Sequence, residues 1–329
     1  MTRESKRRTT KMASGWHIKG AFLSVLALLG FFPALASERQ VIPFEVNEYD
    51  HMVVRLEVNG NDRATGIIDT AATFPMINRR TARLAQLPEL DDNVPMISVL
   101  GLTGEEIYPV VELDTLLVGN VAKKDVQVAL NVDLNVTGTQ NVLPANAFEG
   151  DVIDFDFENL RVMVYDGRPD RSARLVPSSM KYTDENGLIF VDVRINGRKG
   201  RALVDTGSSV TFINSRFAEQ SHTRTNEEKT KILQGATGGD QSLRIASVRM
   251  LAIGDYRMSG VDILVSDPPL FKYLGLEEEP AMVLGLDLLS SFRLQIDRRR
   301  QRVVLSMPDS GRYSSRVNLN ARDTRIPVY

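Results

Sequence analysis

The stretch Ala202-Leu203-Val204-Asp205-Thr206-Gly207-Ser208-Ser209 decides the fold, because a related stretch stands earlier in the chain. The earlier copy reads Gly66-Ile67-Ile68-Asp69-Thr70-Ala71-Ala72-Thr73 and places its aspartate 136 residues before Asp205. In both copies an apolar run leads into an aspartate, a threonine and small residues. Such a pattern is typical of a buried strand that ends in a turn. The match predicts an internal duplication.

The duplication continues on both sides of these stretches. Upstream, residues 53–60 and 190–197 each alternate apolar and polar side chains before reaching Asn-Gly, which predicts a strand and a tight hairpin turn. Downstream, each copy continues with a short helical segment, at residues 78–86 and 214–220. Many short strands with few helices predict an all-β fold, in which two β-barrel lobes are related by a pseudo-twofold axis with a cleft between them.

The duplication also sets the expected domain boundaries. They are residues 37–166 for the first lobe, 167–179 for a linker, 180–307 for the second lobe and 308–329 for a polar C-terminal tail. Near the end of the first lobe, Asp154 and Asp156 alternate with apolar residues. We therefore expect both carboxylates on the solvent-facing side of a strand.

Residues 1–36 have the pattern of an export signal. Six cations and one acid precede an apolar run from Ala21 to Leu35, which ends in the small-x-small sequence Ala34-Leu35-Ala36. We expect cleavage after Ala36 and a periplasmic or secreted protein, with an uncleaved N-terminal anchor as the alternative. No second long apolar segment follows, so no membrane contact is expected after cleavage.

The composition argues against several kinds of site. The chain has no cysteine and three histidines, His17, His51 and His222. Thiol nucleophiles, disulfides and cysteine zinc sites are therefore excluded, and a histidine-built metal site or a Ser-His-Asp triad is disfavoured. The formal net charge of −2 gives no basic surface that would predict a nucleic-acid partner. No metal or cofactor is expected.

The two matched aspartates are the candidates for chemistry. A pseudo-twofold axis would bring Asp69 and Asp205 together, and close carboxylates share one proton. One can then act as a base on water and the other as an acid toward a carbonyl oxygen. Ser208 stands where the first copy has Ala72, and a hydroxyl that donates to a carboxylate favours its ionised form. We therefore expect Asp205 to be the more acidic and Asp69 to hold the proton more often.

The pentapeptide at residues 205–209 resembles the signature of the aspartic proteases. Val283-Leu284-Gly285 is similar to their apolar-apolar-Gly motif, and the glycine-rich tips at residues 101–104 and 235–239 resemble flaps. The chain without its leader and tail is similar to two fused retropepsin-like units on the two-lobed pepsin plan. The resemblance implies an aspartic endopeptidase that hydrolyses peptide or protein substrates as a monomer, with a homodimer also possible.

The resemblance also implies a role for individual positions. It makes Asp69 and Asp205 the catalytic pair. The residues that would support them are Thr70, Ala71, Thr73, Thr206, Gly207 and Ser208. The flaps would cover an extended peptide bound by backbone pairing. The flap residues are Gly101, Leu102, Thr103, Gly104, Gly235, Ala236, Thr237, Gly238 and Gly239.

The first copy departs from the family pattern at two positions. Ala71 and Pro144 stand where glycine is usual. Ala71 keeps its N–H, so we expect its hydrogen bond to Asp69 to survive, whereas Pro144 lacks a donor. Two alternatives therefore stay open. One is a catalytically impaired module that binds an extended peptide, and the other is a protease active only when the second lobes of two chains pair.

Overall fold

The computed structural model describes residues 39–90, 93–101, 104–132, 141–234, 240–308 and 316–317. The chain divides into two compact units, Met1–Ala36 and Ser37–Tyr329, and every described residue belongs to the second. Within these ranges, no helix is both long enough and apolar enough to cross a membrane. The leader, the tip residues Leu102 and Thr103, and the tip Gly235–Gly239 lie outside the described residues.

The first lobe consists almost entirely of strands. Its elements are β1 (Gln40–Val46), β2 (Met52–Val58), β3 (Asn61–Asp69), β4 (Met76–Asn78), α1 (Arg79–Leu84), β5 (Met96–Gly101), β6 (Gly104–Val118), β7 (Val121–Asn131), β8 (Asn141–Pro144), a 3₁₀ turn (Ala145–Ala147), β9 (Val152–Asp156) and β10 (Arg161–Tyr165). The predicted helix at residues 78–86 is α1. Asn78 caps it by accepting a hydrogen bond from the N–H of Thr81.

The second lobe repeats this order. Its elements are β11 (Leu175–Glu185), β12 (Leu188–Ile195), β13 (Arg198–Val204), β14 (Phe212–Ile213), α2 (Ser215–Gln220), β15 (Arg224–Gln234), β16 (Asp240–Ile253), β17 (Tyr256–Val265), α3 (Pro269–Tyr273), β18 (Ala281–Leu284), α4 (Leu286–Leu289), β19 (Arg293–Asp297) and β20 (Arg302–Pro308). In the tail, β21 (Arg316–Val317) pairs in parallel with β17. Asn214 caps α2 as Asn78 caps α1.

The same crossed strand pairing holds the aspartate loop in each lobe. β3 pairs in parallel with β8, and β13 pairs in parallel with β18. The strand after each loop, β4 or β14, returns to pair with the same strand from its other side, in the antiparallel sense. Each aspartate therefore lies at the end of a strand that its paired neighbours hold in place. These matched lobes confirm the predicted two-lobed, all-β fold.

One antiparallel sheet of six strands joins the lobes, in the order β1-β10-β9-β19-β20-β11. Its pseudo-twofold axis passes between β9 and β19, where Phe155 pairs with Leu294 and Ile153 pairs with Ile296. All four side chains are completely buried. At roughly 1.5–3 kcal/mol for each buried side chain of this size, the apolar face of the sheet is a strong link between the lobes.

The opposite face of this sheet corrects the sequence analysis. Asp154 and Asp156, expected to face solvent, are 0% and 4% exposed. Asp154 accepts hydrogen bonds from Arg293 Nε and Nη2 at 2.9 and 2.6 Å and from the Tyr165 hydroxyl at 2.8 Å. The carboxylates do alternate with the apolar side chains of β9, but a partner from the second lobe, Arg293, lets Asp154 lie inside the protein as an ion pair.

The segment between the lobes covers that face. The backbone oxygen of Asp170 accepts a hydrogen bond from Gln295, and its carboxylate pairs with Arg39 at 2.7 Å and with Arg293 at 3.3 Å. The sequence predicted a linker over residues 167–179, but β11 begins at Leu175 and pairs with β20. Without β11, this edge of β20 would present unpaired backbone groups, and the strand pairing satisfies them.

Candidate active site

Two threonines tie the aspartate loops together across the lobes. The N–H of Thr70 donates to Thr206 Oγ1 at 3.1 Å, and the N–H of Thr206 donates to Thr70 Oγ1 at 3.0 Å. The hydroxyl of Thr70 donates to the carbonyl oxygen of Val204, and that of Thr206 donates to Ile68, each at 2.7 Å. Both threonines are buried. The four reciprocal bonds therefore fix the two loops against each other away from water.

This arrangement places Asp69 and Asp205 side by side, with a hydrogen bond between their side chains. The N–H of Ala71 donates to Asp69 Oδ1 at 2.7 Å, and the N–H of Gly207 donates to Asp205 Oδ1 at 2.8 Å. The hydrogen bond expected from Ala71 is thus present. Ser208 N–H adds a bond to Asp205 at 2.9 Å. Both aspartates are partly exposed, so a water molecule can reach them.

Glycine is required at only one of the two matched positions. A Cβ atom on Gly207 would lie 2.3 Å from Asp69 Oδ2, so any side chain there would displace the carboxylate. The methyl group of Ala71 instead packs against an apolar cluster of the second lobe that includes Phe190 and Leu203. This packing explains why the first copy can carry alanine.

The two carboxyl groups are not equivalent. Burial raises the pKa of both, and the pKa of Asp205 is held well above its ordinary value because the negative charge of Asp69 also lies beside it. Asp69 receives backbone hydrogen bonds from Ala71, Ala72 and Gly207, which stabilise its ionised form. Asp205 likewise accepts backbone hydrogen bonds, from Gly207 and Ser208, and the two adjacent carboxyl groups share one proton.

The structure removes the ground on which the sequence made Asp205 the more acidic partner. That expectation required the Ser208 hydroxyl to donate to Asp205. The hydroxyl instead donates to the carbonyl oxygen of Val210 at 2.8 Å and closes its own turn. Its local bond leaves Asp205 without the hydroxyl donor that would have made it the more acidic partner.

The sequence comparisons agree with this geometry. A family model described as aspartyl protease matches residues 54–144 and 191–288, together more than half of the chain. The chain belongs to the aspartyl protease family. Each matched region holds one aspartate loop, which fits the two lobes of this aspartyl protease. The match confirms the resemblance drawn from the sequence and supports a protease that acts on peptide substrates. No curated protein sequence matches the chain.

A paired substitution explains the second departure of this aspartyl protease from the family pattern. In the second lobe, the N–H of Gly285 donates to Thr211 Oγ1 at 3.0 Å, and a Cβ on Gly285 would lie 2.4 Å from the oxygen of Val210. In the first lobe, Pro144 lacks the donor and Pro75 stands where the repeat places Thr211. Donor and acceptor are lost together, so no polar group is left unpaired. Sequence reasoning missed Thr211, although aligning the repeats past the pentapeptide would have found it.

The segment predicted as the first-lobe flap forms the hairpin of β5 and β6. Ile97 pairs with Tyr108, and Gly101 pairs with Gly104 at the end of the ladder. Tyr108 is 5% exposed and packs on an apolar cluster beside the aspartate loop. The predicted tip glycines therefore close a hairpin whose inner face rests next to Asp69.

Thr73, which was also predicted to support the two aspartates, lies apart from their carboxylates. Thr73 is exposed, and its methyl group is 3.8 Å from where a Cβ of Gly187 would stand. In the part of the chain that the structure describes, Thr73 makes no hydrogen bond to either aspartate. Over the same residues, no group of three or more His, Asp or Glu is placed to hold a metal ion.

Proposed function

We propose that this aspartyl protease is an endopeptidase whose catalytic pair is Asp69 and Asp205. The observation that carries the proposal is the reciprocal bonding of Thr70 and Thr206, which brings one carboxyl group from each lobe into contact. The pair shares one proton, as acid-base hydrolysis without a covalent intermediate requires.

Each step can be assigned to one of the two groups. Asp69 takes a proton from water as the water oxygen attacks the peptide carbonyl carbon, while Asp205 gives its proton to the carbonyl oxygen. The carbon–nitrogen bond of the resulting diol then breaks. Asp69 returns its proton to the leaving nitrogen, and Asp205 regains a proton from a hydroxyl group of the diol. Both aspartates are restored.

Two alternatives to a single-chain enzyme make different predictions. A peptide-binding module would hold an extended peptide without cutting it, and Ala71 and Pro144 motivated that reading. The hydrogen bond from Ala71 and the joint loss of donor and acceptor at Pro144 and Pro75 weigh against it. Activity through paired second lobes would need only Asp205. The contact of Asp69 with Asp205 inside one chain supports a monomeric enzyme.

The test is proteolysis of an unfolded protein substrate from pH 3 to pH 7. The chain is expressed with its own N-terminal segment, as wild type and as Asp69→Asn, Asp205→Asn and the control Asp62→Asn, an exposed β3 residue. We expect loss of cleavage in the first two variants and wild-type activity in the control. Loss only in Asp205→Asn would support paired second lobes, and no cleavage by folded wild type would support the binding module.

We also propose export with cleavage after Ala36. The small-x-small sequence Ala34-Leu35-Ala36 after the apolar run supports it. The expected result is a periplasmic or secreted protein whose first residue is Ser37, established by fractionation and N-terminal sequencing. An intact leader in the membrane fraction would establish the anchor instead.

A further inference from the structure

Matched apolar clusters lie beside the two aspartate loops. The first-lobe cluster contains Ile67, Met76, Tyr108, Ala129 and Val142. The second-lobe cluster contains Phe190, Leu203, Val210, Phe212, Leu264, Phe271, Leu276, Ala281 and Val283. The strand registers relate them, since Ile67 pairs with Val142 as Leu203 pairs with Val283. The clusters are therefore equivalent walls of the proposed cleft.

The two walls carry side chains of different size. Met76 stands opposite Ala129 in the first lobe, at the positions that Phe212 and Leu264 occupy in the second. In the second lobe, α3 also packs Phe271 against Phe212 with ring centroids 5.7 Å apart. The side chains at these matched positions are therefore smaller in the first lobe than in the second.

The hairpin of β5 and β6 places a carboxylate on the face that packs against the first-lobe cluster. Ile97 pairs with Tyr108 and Val99 pairs with Glu106. Directly paired residues of antiparallel strands share a face, and Ile97, Val99 and Tyr108 all pack on the first-lobe cluster. Glu106 therefore points to the cleft side of the flap. It is exposed, and within the described residues it forms no salt bridge.

The neighbouring Glu105 lies on the opposite face. It pairs with Leu100, whose side chain is 36% exposed, and its carboxylate accepts a hydrogen bond from Ser98 on the outer surface. Successive strand residues alternate faces, so Glu105 and Glu106 carry the same charge on opposite sides of the hairpin. Glu105 is thus a matched control for Glu106.

Apolar side chains lie between the Asp69 loop and the strand that carries Glu106. Ala72 and Phe74 follow Asp69 in the chain and pack against the first-lobe cluster beneath the flap. Glu106 lies two residues nearer the hairpin tip than Tyr108, about 7 Å along the strand. A side chain that enters here passes apolar groups and ends at a negative charge.

We propose that this subsite binds a lysine or arginine side chain next to the scissile bond. The proposal rests on the proposed function. The methylene groups of the substrate residue pack along Ile97, Val99 and Phe74, and the cationic end pairs with Glu106. Such a side chain combines an apolar stem with a charge opposite to that of Glu106.

The test uses peptides that differ only in the residue beside the scissile bond, which is Lys, Leu or Glu. We expect wild type to prefer the Lys peptide. Glu106→Gln should lower kcat/KM for it about tenfold and change kcat/KM for the Leu peptide less than about twofold, since the lost contact is charge-assisted. Glu105→Gln should leave both values unchanged. Glu106→Lys should shift the preference toward the Glu peptide.

A binding measurement separates this inference from the proposed function. Fluorescence anisotropy of the same peptides with Asp69→Asn, with and without Glu106→Gln, reports the subsite without turnover. Tighter binding of the Lys peptide that depends on Glu106 supports the inference even if no peptide is cleaved, in which case only the proposed function fails. Equal loss for Lys and Leu peptides, or equal effects at Glu105 and Glu106, would overturn it.

Discussion

Thr70 and Thr206 each use a backbone N–H and a hydroxyl toward the opposite lobe. Four hydrogen bonds at about 1 kcal/mol each are modest contributors to stability. These bonds matter because a buried donor or acceptor that loses its partner lowers the free energy of unfolding by more than the bond itself contributes. This asymmetry makes the threonines the residues that hold the aspartates in contact.

We therefore expect Thr206→Val to destabilise the protein by about 2–4 kcal/mol, because Ile68 O and Thr70 N–H both lose their partner. Thr206→Ser keeps the hydroxyl and should cost less than about 1 kcal/mol. Urea denaturation of both variants measures the difference. Equal stability of the two variants would contradict the assigned hydrogen bonds.

The raised pKa of Asp205 predicts a pH-dependent stability. Below the ordinary value of 3.8, Asp205 is protonated in the folded and the unfolded chain alike. As the pH rises through the higher pKa of the folded state, stability is lost because the folded protein holds this proton more tightly. Asparagine has no such proton and keeps both an acceptor and a donor.

Asp205→Asn should therefore be more stable than wild type at pH 7, with the difference vanishing near pH 3. Urea denaturation at the two pH values checks the prediction, and carboxyl NMR locates the shared proton directly. A wild type that is the more stable protein at pH 7, or a proton found on Asp69, would contradict the assignment.

At the scale of the strand and turn, the two lobes use different residues between the closing strand and the helical turn that follows it. Gly285 directly precedes α4, and its N–H donates to Thr211 Oγ1. A Cβ atom at this position would overlap the backbone oxygen of Val210. Pro144 precedes the equivalent 3₁₀ turn with φ −60°, a value its ring supplies. The first lobe therefore needs neither the glycine nor the threonine.

Gly285→Ala should cost about 1–3 kcal/mol, since its Cβ would overlap the backbone oxygen of Val210. Pro144→Ala should cost less than about 1 kcal/mol, because alanine adopts the same φ and loses only the rigidity of the ring. Thermal and urea denaturation compare the two. A larger loss at Pro144 than at Gly285 would show that the lobes are not equivalent in this way.

At the scale of the whole molecule, the six-stranded sheet makes the two lobes one folding unit. Its inner face is apolar, and its outer face buries the ion pair of Asp154 with Arg293 beneath the interlobe segment. A buried pair is weak evidence for net stability, but removing one partner leaves an uncompensated charge.

Arg293→Met should therefore destabilise the protein by roughly 3–5 kcal/mol. The control Arg55→Met removes an exposed pair with Glu45 and should cost less than about 1 kcal/mol. Both variants should unfold in one transition, detected alike by circular dichroism and fluorescence. Two separate transitions would contradict the coupling of the lobes.

The sequence predicted the duplication, the two aspartate loops and the helices after them. Asp69 and Asp205 follow apolar runs and precede small residues, and such patterns depend on neighbours within a few positions in the chain. The predicted helical segments start at Asn78 and Asn214, which cap α1 and α2 in the structure. These features are local, so one sequence is enough to find them.

Only the tertiary structure decided that the two carboxyl groups lie together, how Ala71 is accommodated and why Asp154 is buried. Each answer depends on atoms far away in the chain: the carboxylate of Asp69 beside Asp205, the second-lobe cluster against Ala71, and Arg293 on Asp154. Charge and burial act through space, with strengths set by distance and by exclusion of water. The order of residues along the chain gives neither the distances between these groups nor their exclusion from water. The folded lobes determine both.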